Sequence, residues 1–179
     1  MIMNLDKNNA AKINLEELVS KLKAEDTRYS RLTRGLLISY LILIPIYSIT
    51  ILVDVLQTGD LTGLAESICF VISFVIFALV MRNLYKEYKN VNYSLSIIKM
   101  LKEAAKRYQP FRFKTLWAIL AVLFMVTGIF LNPSISVVSR FIVIGLFIVA
   151  IIVGLTIWFI KYKPLRDKAL ILINELEKE

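Results

Sequence analysis

FIVIGLFIVAIIVGLTIWFI, residues Phe141–Ile160, runs for twenty positions without one charge. A helix rises about 1.5 Å per residue, so this length crosses a hydrocarbon core of about 30 Å. Three further stretches share the pattern: 35–53, 61–81 and 115–131. The second is short unless it reaches back past Glu66 towards Leu61. The whole chain is 58% hydrophobic and 20% charged, with a mean hydropathy of +0.67. Soluble domains sit nearer half apolar and a quarter charged, so a bilayer is the better solvent. The expectation is an all-α polytopic membrane protein of one domain, its four transmembrane helices arranged as two hairpins.

Charge placement orients the spans. Of 22 Lys and Arg residues, seven lie in 1–34, nine in 82–114 and five in 161–179, and only Arg140 falls in the two remaining loops. Cytoplasmic flanks hold the excess of basic residues. An even number of spans then places both termini in the cytoplasm, with all three basic segments beside them. Tyr85, Tyr88, Phe111, Phe113, Trp117, Trp158 and Tyr162 fall near that inner boundary, where amphipathic rings anchor. The polar first 34 residues contain no apolar signal-peptide core.

Two strings prepare the entrance to a span in the same way, LKAEDTRY at Leu22–Tyr29 and LKEAAKRY at Leu101–Tyr108. Around the second, a cytosolic helix over 94–109 places Ile97, Ile98, Leu101, Ala104, Ala105 and Tyr108 on one stripe, with Lys99, Lys102 and Lys106 opposite. Asn90, Asn92 and Ser94 precede it as turn residues, and Pro110 stops it. Around the first, a helix over 14–34 begins at Asn14 as N-cap, with Glu17 in a capping-box position. Its stripe of Leu15, Leu18, Val19, Leu22 and Tyr29 is interrupted by Glu25 and Asp26. A third amphipathic helix over 165–178 follows Pro164, with a stripe through Leu165, Ala169, Leu172, Ile173 and Leu176. Duplication of one unit and convergence on one interfacial design both account for the two strings.

The sequence offers little chemistry. It has no His and a single Cys69, which reads as a small packing residue, so no disulfide or Cys/His metal site forms within one chain. No span interior holds an ionisable residue, which argues against an ion-coupled pump. Asp54, Glu66 and Arg140 lie near the outer boundary; Arg140 either pairs with one of the two acids or, as the simpler alternative, all three face water and headgroups. Pro45 stands mid-span, and Ala150 with Gly154 forms a small-xxx-small pair that permits close helix approach. Glu87, Glu103, Arg107 and Tyr108 suit a solvated helix face better than a catalytic set. No enzyme, cofactor, metal or nucleic-acid partner is expected.

The strings KLKAEDTRYSR (Lys21–Arg31), SICF (Ser67–Phe70) and AAKRYQPFRFKTLW (Ala104–Trp117) carry a resemblance of the whole chain to small bacterial four-helix inner-membrane proteins. That resemblance implies a bacterial inner membrane and transfers no activity. Two function classes follow from the residues. In the first, a membrane-anchored interaction, regulatory or scaffold protein binds a protein partner or a copy of itself through Leu18, Leu22, Ile97, Leu101, Ala105, Tyr108 and Leu172. In the second, the chain is an oligomeric carrier or channel for an apolar or amphiphilic substrate. The basic face of Lys99, Lys102 and Lys106 either attracts anionic lipid headgroups or lies near the acidic tail of Glu175, Glu177 and Glu179 as the amphipathic helices bundle beneath the membrane.

Overall fold

The computed structural model describes residues 2–58, 63–109, 113–132 and 135–177, with side chains from Leu15 onward except at 58 and 113–115. Pro110, Leu61 and Glu179 lie outside these residues. The described residues form helices and short connections, without a strand: α1 (Ile2–Thr58), α2 (Leu64–Lys89), α3 (Ile97–Arg107), α4 (Phe113–Leu131), α5 (Val137–Ile157), a π-turn (Trp158–Tyr162) and α6 (Lys163–Leu176). Three helical stretches are long and apolar enough to cross a membrane, Leu15–Gln57, Leu64–Lys89 and Val137–Leu176, and a shorter apolar helix covers Leu116–Leu131.

The amphipathic segments join the apolar ones without a break at two places. α1 begins before Asn14, which lies inside the helix rather than at its start, and continues through Pro45. At the other end α5, the π-turn and α6 form one continuous rod. Pro164 explains the π-turn. It lacks the N–H that would bond the carbonyl of Ile160, and its ring crowds that carbonyl. The chain widens by one residue instead, and the Lys163 N–H bonds the Trp158 carbonyl five positions back.

In the apolar half, α2 packs against α1 on one side and α4 on the other. The α1–α2 seam is aromatic. Tyr40 stacks on Phe77 at 5.1 Å, and Tyr47 meets Phe74 edge-on, also at 5.1 Å. The α2–α4 seam is built from small residues. Ser73 Oγ donates to the Ala121 carbonyl at 2.8 Å, and both residues are completely buried. A Cβ on Gly128 would stand 3.1 Å from the Glu66 carbonyl oxygen and 3.3 Å from Cys69 Cβ. Glycine therefore sets how closely α4 approaches α2, and Cys69 packs there as a small residue.

α5 is different. It touches α4 slightly, has no buried residue, and leaves Gly154 with open space around it, so the Ala150–Gly154 pair brings no helix close within the chain. At the end of the rods opposite the π-turn, Arg140 Nη2 donates to the Asn132 carbonyl at 2.8 Å and Nε to the Ile135 carbonyl at 3.1 Å. Asn132 Nδ2 donates to Glu66 Oε1 at 2.8 Å. Arg140 thus reaches Glu66 through Asn132 rather than by the direct ion pair considered from sequence.

The main apolar core lies at the other end of α1 and α2. Leu18, Leu22, Tyr88, Met100, Leu101, Ala104, Ala105, Tyr108, Ala169 and Ile173 form one buried cluster, with Leu15, Val19, Leu165, Leu172 and Leu176 packed around it. The three amphipathic stripes therefore face one another and close into a helical cap. Leu22 and Leu101, the first residues of the two repeated strings, are both fully buried. Leu22→Ala and Leu101→Ala should each cost about 2–5 kcal/mol. Ile97→Ala, at a position 46% exposed, should stay within about 0.5 kcal/mol. Chemical unfolding of the detergent-solubilised chain measures all three.

Candidate functional site

The stripes in the cap enclose a polar centre. Asp26 follows Leu22 by four residues and so stays on the inner face of α1. It is 2% exposed, and Arg107, arriving from α3, is 7% exposed. Arg107 Nη2 lies 3.0 Å from Asp26 Oδ2. The Tyr93 hydroxyl, in the α2–α3 connection, donates to the same oxygen at 2.5 Å, and the Tyr108 hydroxyl donates to Oδ1 at 2.7 Å. Both carboxylate oxygens are thus held. Arg107 Nε is buried without a hydrogen-bond partner.

Local structure brings these groups in. Asn92 Oδ1 accepts the Ser94 N–H at 2.8 Å, an Asx turn that carries the chain from α2 into α3 and sets Tyr93 between them. Ser96 begins α3, its carbonyl accepting the Met100 N–H at 2.9 Å. At the far end of α3, Trp158 Nε1 donates to the Tyr108 carbonyl at 2.9 Å. The π-turn thereby supplies a donor to a helix end whose carbonyls lack partners of their own.

A set of tyrosines surrounds the centre. The rings of Tyr108 and Tyr162 stack at 5.5 Å, Tyr29 meets Tyr162 edge-on at 5.6 Å, and Tyr29 lies 4.7 Å from Tyr88. Tyr29 and Tyr108, the last residues of the two strings, therefore contact the same ring. Burial first, and then the bond to Asp26 or its charge, raises the Tyr93 and Tyr108 phenols above their ordinary value of 10. Burial raises Tyr162 to about 12.

Several sequence-derived residues change role here. Leu18, Leu22, Leu101, Ala105 and Tyr108 are interior residues of the cap, Leu172 packs at its edge, and Ile97 is exposed. The stripes thus pack largely on one another, with Leu165 and Leu172 only partly covered. Lys99, Lys102 and Lys106 are exposed on the outer face of α3. Lys102 Nζ lies 2.5 Å from Glu177 Oε1, so the lysine face does meet the acidic end of α6. Arg107 leaves the solvated set in which the sequence placed it, and Asp26 and Tyr93 join the site. Arg107 follows Ala104 by three residues, which is the available signal that it leans onto the buried stripe. Among the described residues no group of three or more His, Cys, Asp or Glu is placed to hold a metal.

Comparison with protein-family models, curated proteins and solved structures finds no match.

Removing one member of a buried ion pair strands the other, at about 3–5 kcal/mol. Asp26→Asn and Arg107→Met should each lower cap stability by that order, and a double-mutant cycle should give a coupling of about 1–3 kcal/mol. The tyrosines add a pH dependence. Folding raises their pKa values above 10, so this stabilisation is complete below pH 10 and is lost as pH climbs through the folded-state values. Melting temperature should fall above about pH 10, and less steeply in Tyr93→Phe.

Proposed function

We propose that the chain spans a bacterial inner membrane four times, with both termini in the cytoplasm, and that its helical cap is a pre-folded cytosolic module for interaction or regulation. The observation that carries this reading is the Asp26–Arg107–Tyr93–Tyr108 network, which joins α1, α3 and the α2–α3 connection. A cap cross-linked by buried polar bonds presents its outer side chains in fixed positions. The 21 basic residues on the three flanking segments support the orientation.

With most of the apolar stripes packed inside the cap, a protein partner is met by the outer polar faces. α3 offers Lys99, Lys102 and Lys106, and α1 offers Lys23, Arg28 and Arg31, all exposed. This suits an acidic protein partner, with anionic lipid headgroups contributing wherever a basic face lies against the leaflet. Spacing of exposed cations on folded helices gives such a surface selectivity for charge pattern rather than for apolar shape.

Four of the described span hydroxyls are turned to their own backbones, Ser48 to Ile44, Thr50 to Ile46, Thr127 to Leu123 and Thr156 to Ile152, at 2.8–2.9 Å, and Ser73 is spent on the α2–α4 contact, which leaves little polar lining for transport. One observation favours the carrier or channel alternative. α5 buries nothing within the chain, as a helix reserved for a subunit interface would.

The test is a mild-detergent pull-down of tagged full-length protein beside a Lys99→Glu, Lys102→Glu, Lys106→Glu triple variant. These are surface positions, so the variant should melt within a few degrees of the parent. A defined partner that co-purifies with the parent and is lost from the variant is the expected result. A partner-free homo-oligomer, equally stable in both, would move the assignment to transport. Cysteine labelling at both termini in intact spheroplasts, expected to be blocked from outside, checks the orientation.

A further inference from the structure

A groove of about 630 Å³ runs between the amphipathic part of α1 and α6, beside the π-turn. Its apolar wall is formed by Leu18, Leu165 and Leu172. Three ammonium groups line it, Lys21, Lys161 and Lys168, and three carboxylates, Glu17, Glu25 and Glu175. Its rim towards the apolar half includes Ile160, which is 71% exposed. Phe159 on the same turn is 60% exposed, while Trp158 and Tyr162 turn towards Tyr108 in the cap.

We propose that this groove holds the headgroup of a phospholipid from the adjoining leaflet, and that the headgroup is zwitterionic with a primary ammonium, as in phosphatidylethanolamine. The lining sums to zero charge, which offers no net attraction to an anionic lipid but provides separate partners for a phosphate and an ammonium. Lys21 pairs with Glu17 and Lys161 with Glu25, which leaves Lys168 placed for the phosphate and Glu175 for the ammonium. The carboxylates select the amine. Glu175 is exposed, and Glu25, whose Oε1 takes Lys161 Nζ at 2.8 Å, keeps a second oxygen that is buried without a hydrogen-bond partner. A primary ammonium donates three hydrogen bonds to such oxygens, whereas a choline group donates none. The volume admits a headgroup and glycerol, within the range of small-molecule sites. The acyl chains would leave past Ile160 along α5, whose apolar side chains are unoccupied by protein.

The π-turn gives the groove its shape. The extra residue that Pro164 forces into the rod separates Ile160 and Lys161 from the register of α6. Ile160 then stands at the lipid rim while Lys161 turns to Glu25 on α1. The proposal requires only that the apolar helices cross a bilayer, and it is independent of any protein that the cap recruits.

Full-length protein is reconstituted in nanodiscs of equal parts phosphatidylethanolamine, phosphatidylcholine and phosphatidylglycerol with matched acyl chains. Lipid that remains bound after detergent extraction is counted by native mass spectrometry. Phosphatidylethanolamine should be retained roughly tenfold over the other two, the factor expected for loss of one charge-assisted hydrogen bond. Glu25→Gln and, as a pair of exposed positions unconnected to the buried network, Lys168→Gln with Glu175→Gln should each abolish that preference. Equal retention of the three lipids, a preference for phosphatidylglycerol, or a preference surviving in folded variants would each overturn the proposal.

Discussion

A carboxylate removed from water must find partners, and Asp26 finds all of them at a distance in sequence. Tyr93 is 67 residues away, Arg107 is 81 and Tyr108 is 82. Satisfying that one side chain requires α1, α3 and the connection before α3 to meet at a point. Apolar burial drives the stripes together without strong preference for register, since leucines tolerate sliding. The Asp26 centre has directional bonds and removes that freedom. Buried ion pairs add little net stability against an apolar substitute, yet they penalise any arrangement that separates them. The pair is therefore assigned a specifying role within the cap.

The rest of the cap follows from this meeting point. Once Arg107 and Tyr108 are fixed, the end of α3 is fixed, and its Tyr108 carbonyl takes the indole N–H of Trp158. That bond ties the cap to the rod formed by α5 and α6. Pro164 sets the turn at which the rod can make it. The apolar half is organised by different means, aromatic contacts between α1 and α2 and close approach at Gly128 between α2 and α4. Apolar surface supplies no drive for helices to associate in lipid, so close packing and single hydrogen bonds such as Ser73 to Ala121 carry that contact.

Much of this was legible in the residues. The helical class, the long apolar stretches and most of the inner stripe of α3 follow from composition and period: Leu101, Ala104, Ala105 and Tyr108 are buried, while Ile97, in the first turn of α3, is exposed. The third stripe, after Pro164, packs where its spacing points. Glu25 and Asp26 were readable only as flaws in the first stripe. A lone acid on an apolar face has no partner until the opposing face is known, and Arg107 sits in a run of exposed charges. The continuity of α1 was hidden because a change from polar to apolar composition resembles a boundary even when the backbone continues. The π-turn was hidden because Pro164 fits equally well as the start of a separate helix. The apolar stripes were legible as contact surfaces, but periodicity does not say whether the partner is another molecule or the same chain.

Native-state hydrogen exchange on the full-length protein in detergent, read by mass spectrometry, tests the central claim most directly. If the Asp26 centre makes the cap one cooperative unit, amides in residues 18–29, 100–108 and 169–173 should exchange with similar protection. All three should lose it together in Asp26→Asn while α2 and α4 keep theirs. Fast, independent exchange of α3 and α6 in the parent, or unchanged protection in the variant, would contradict it.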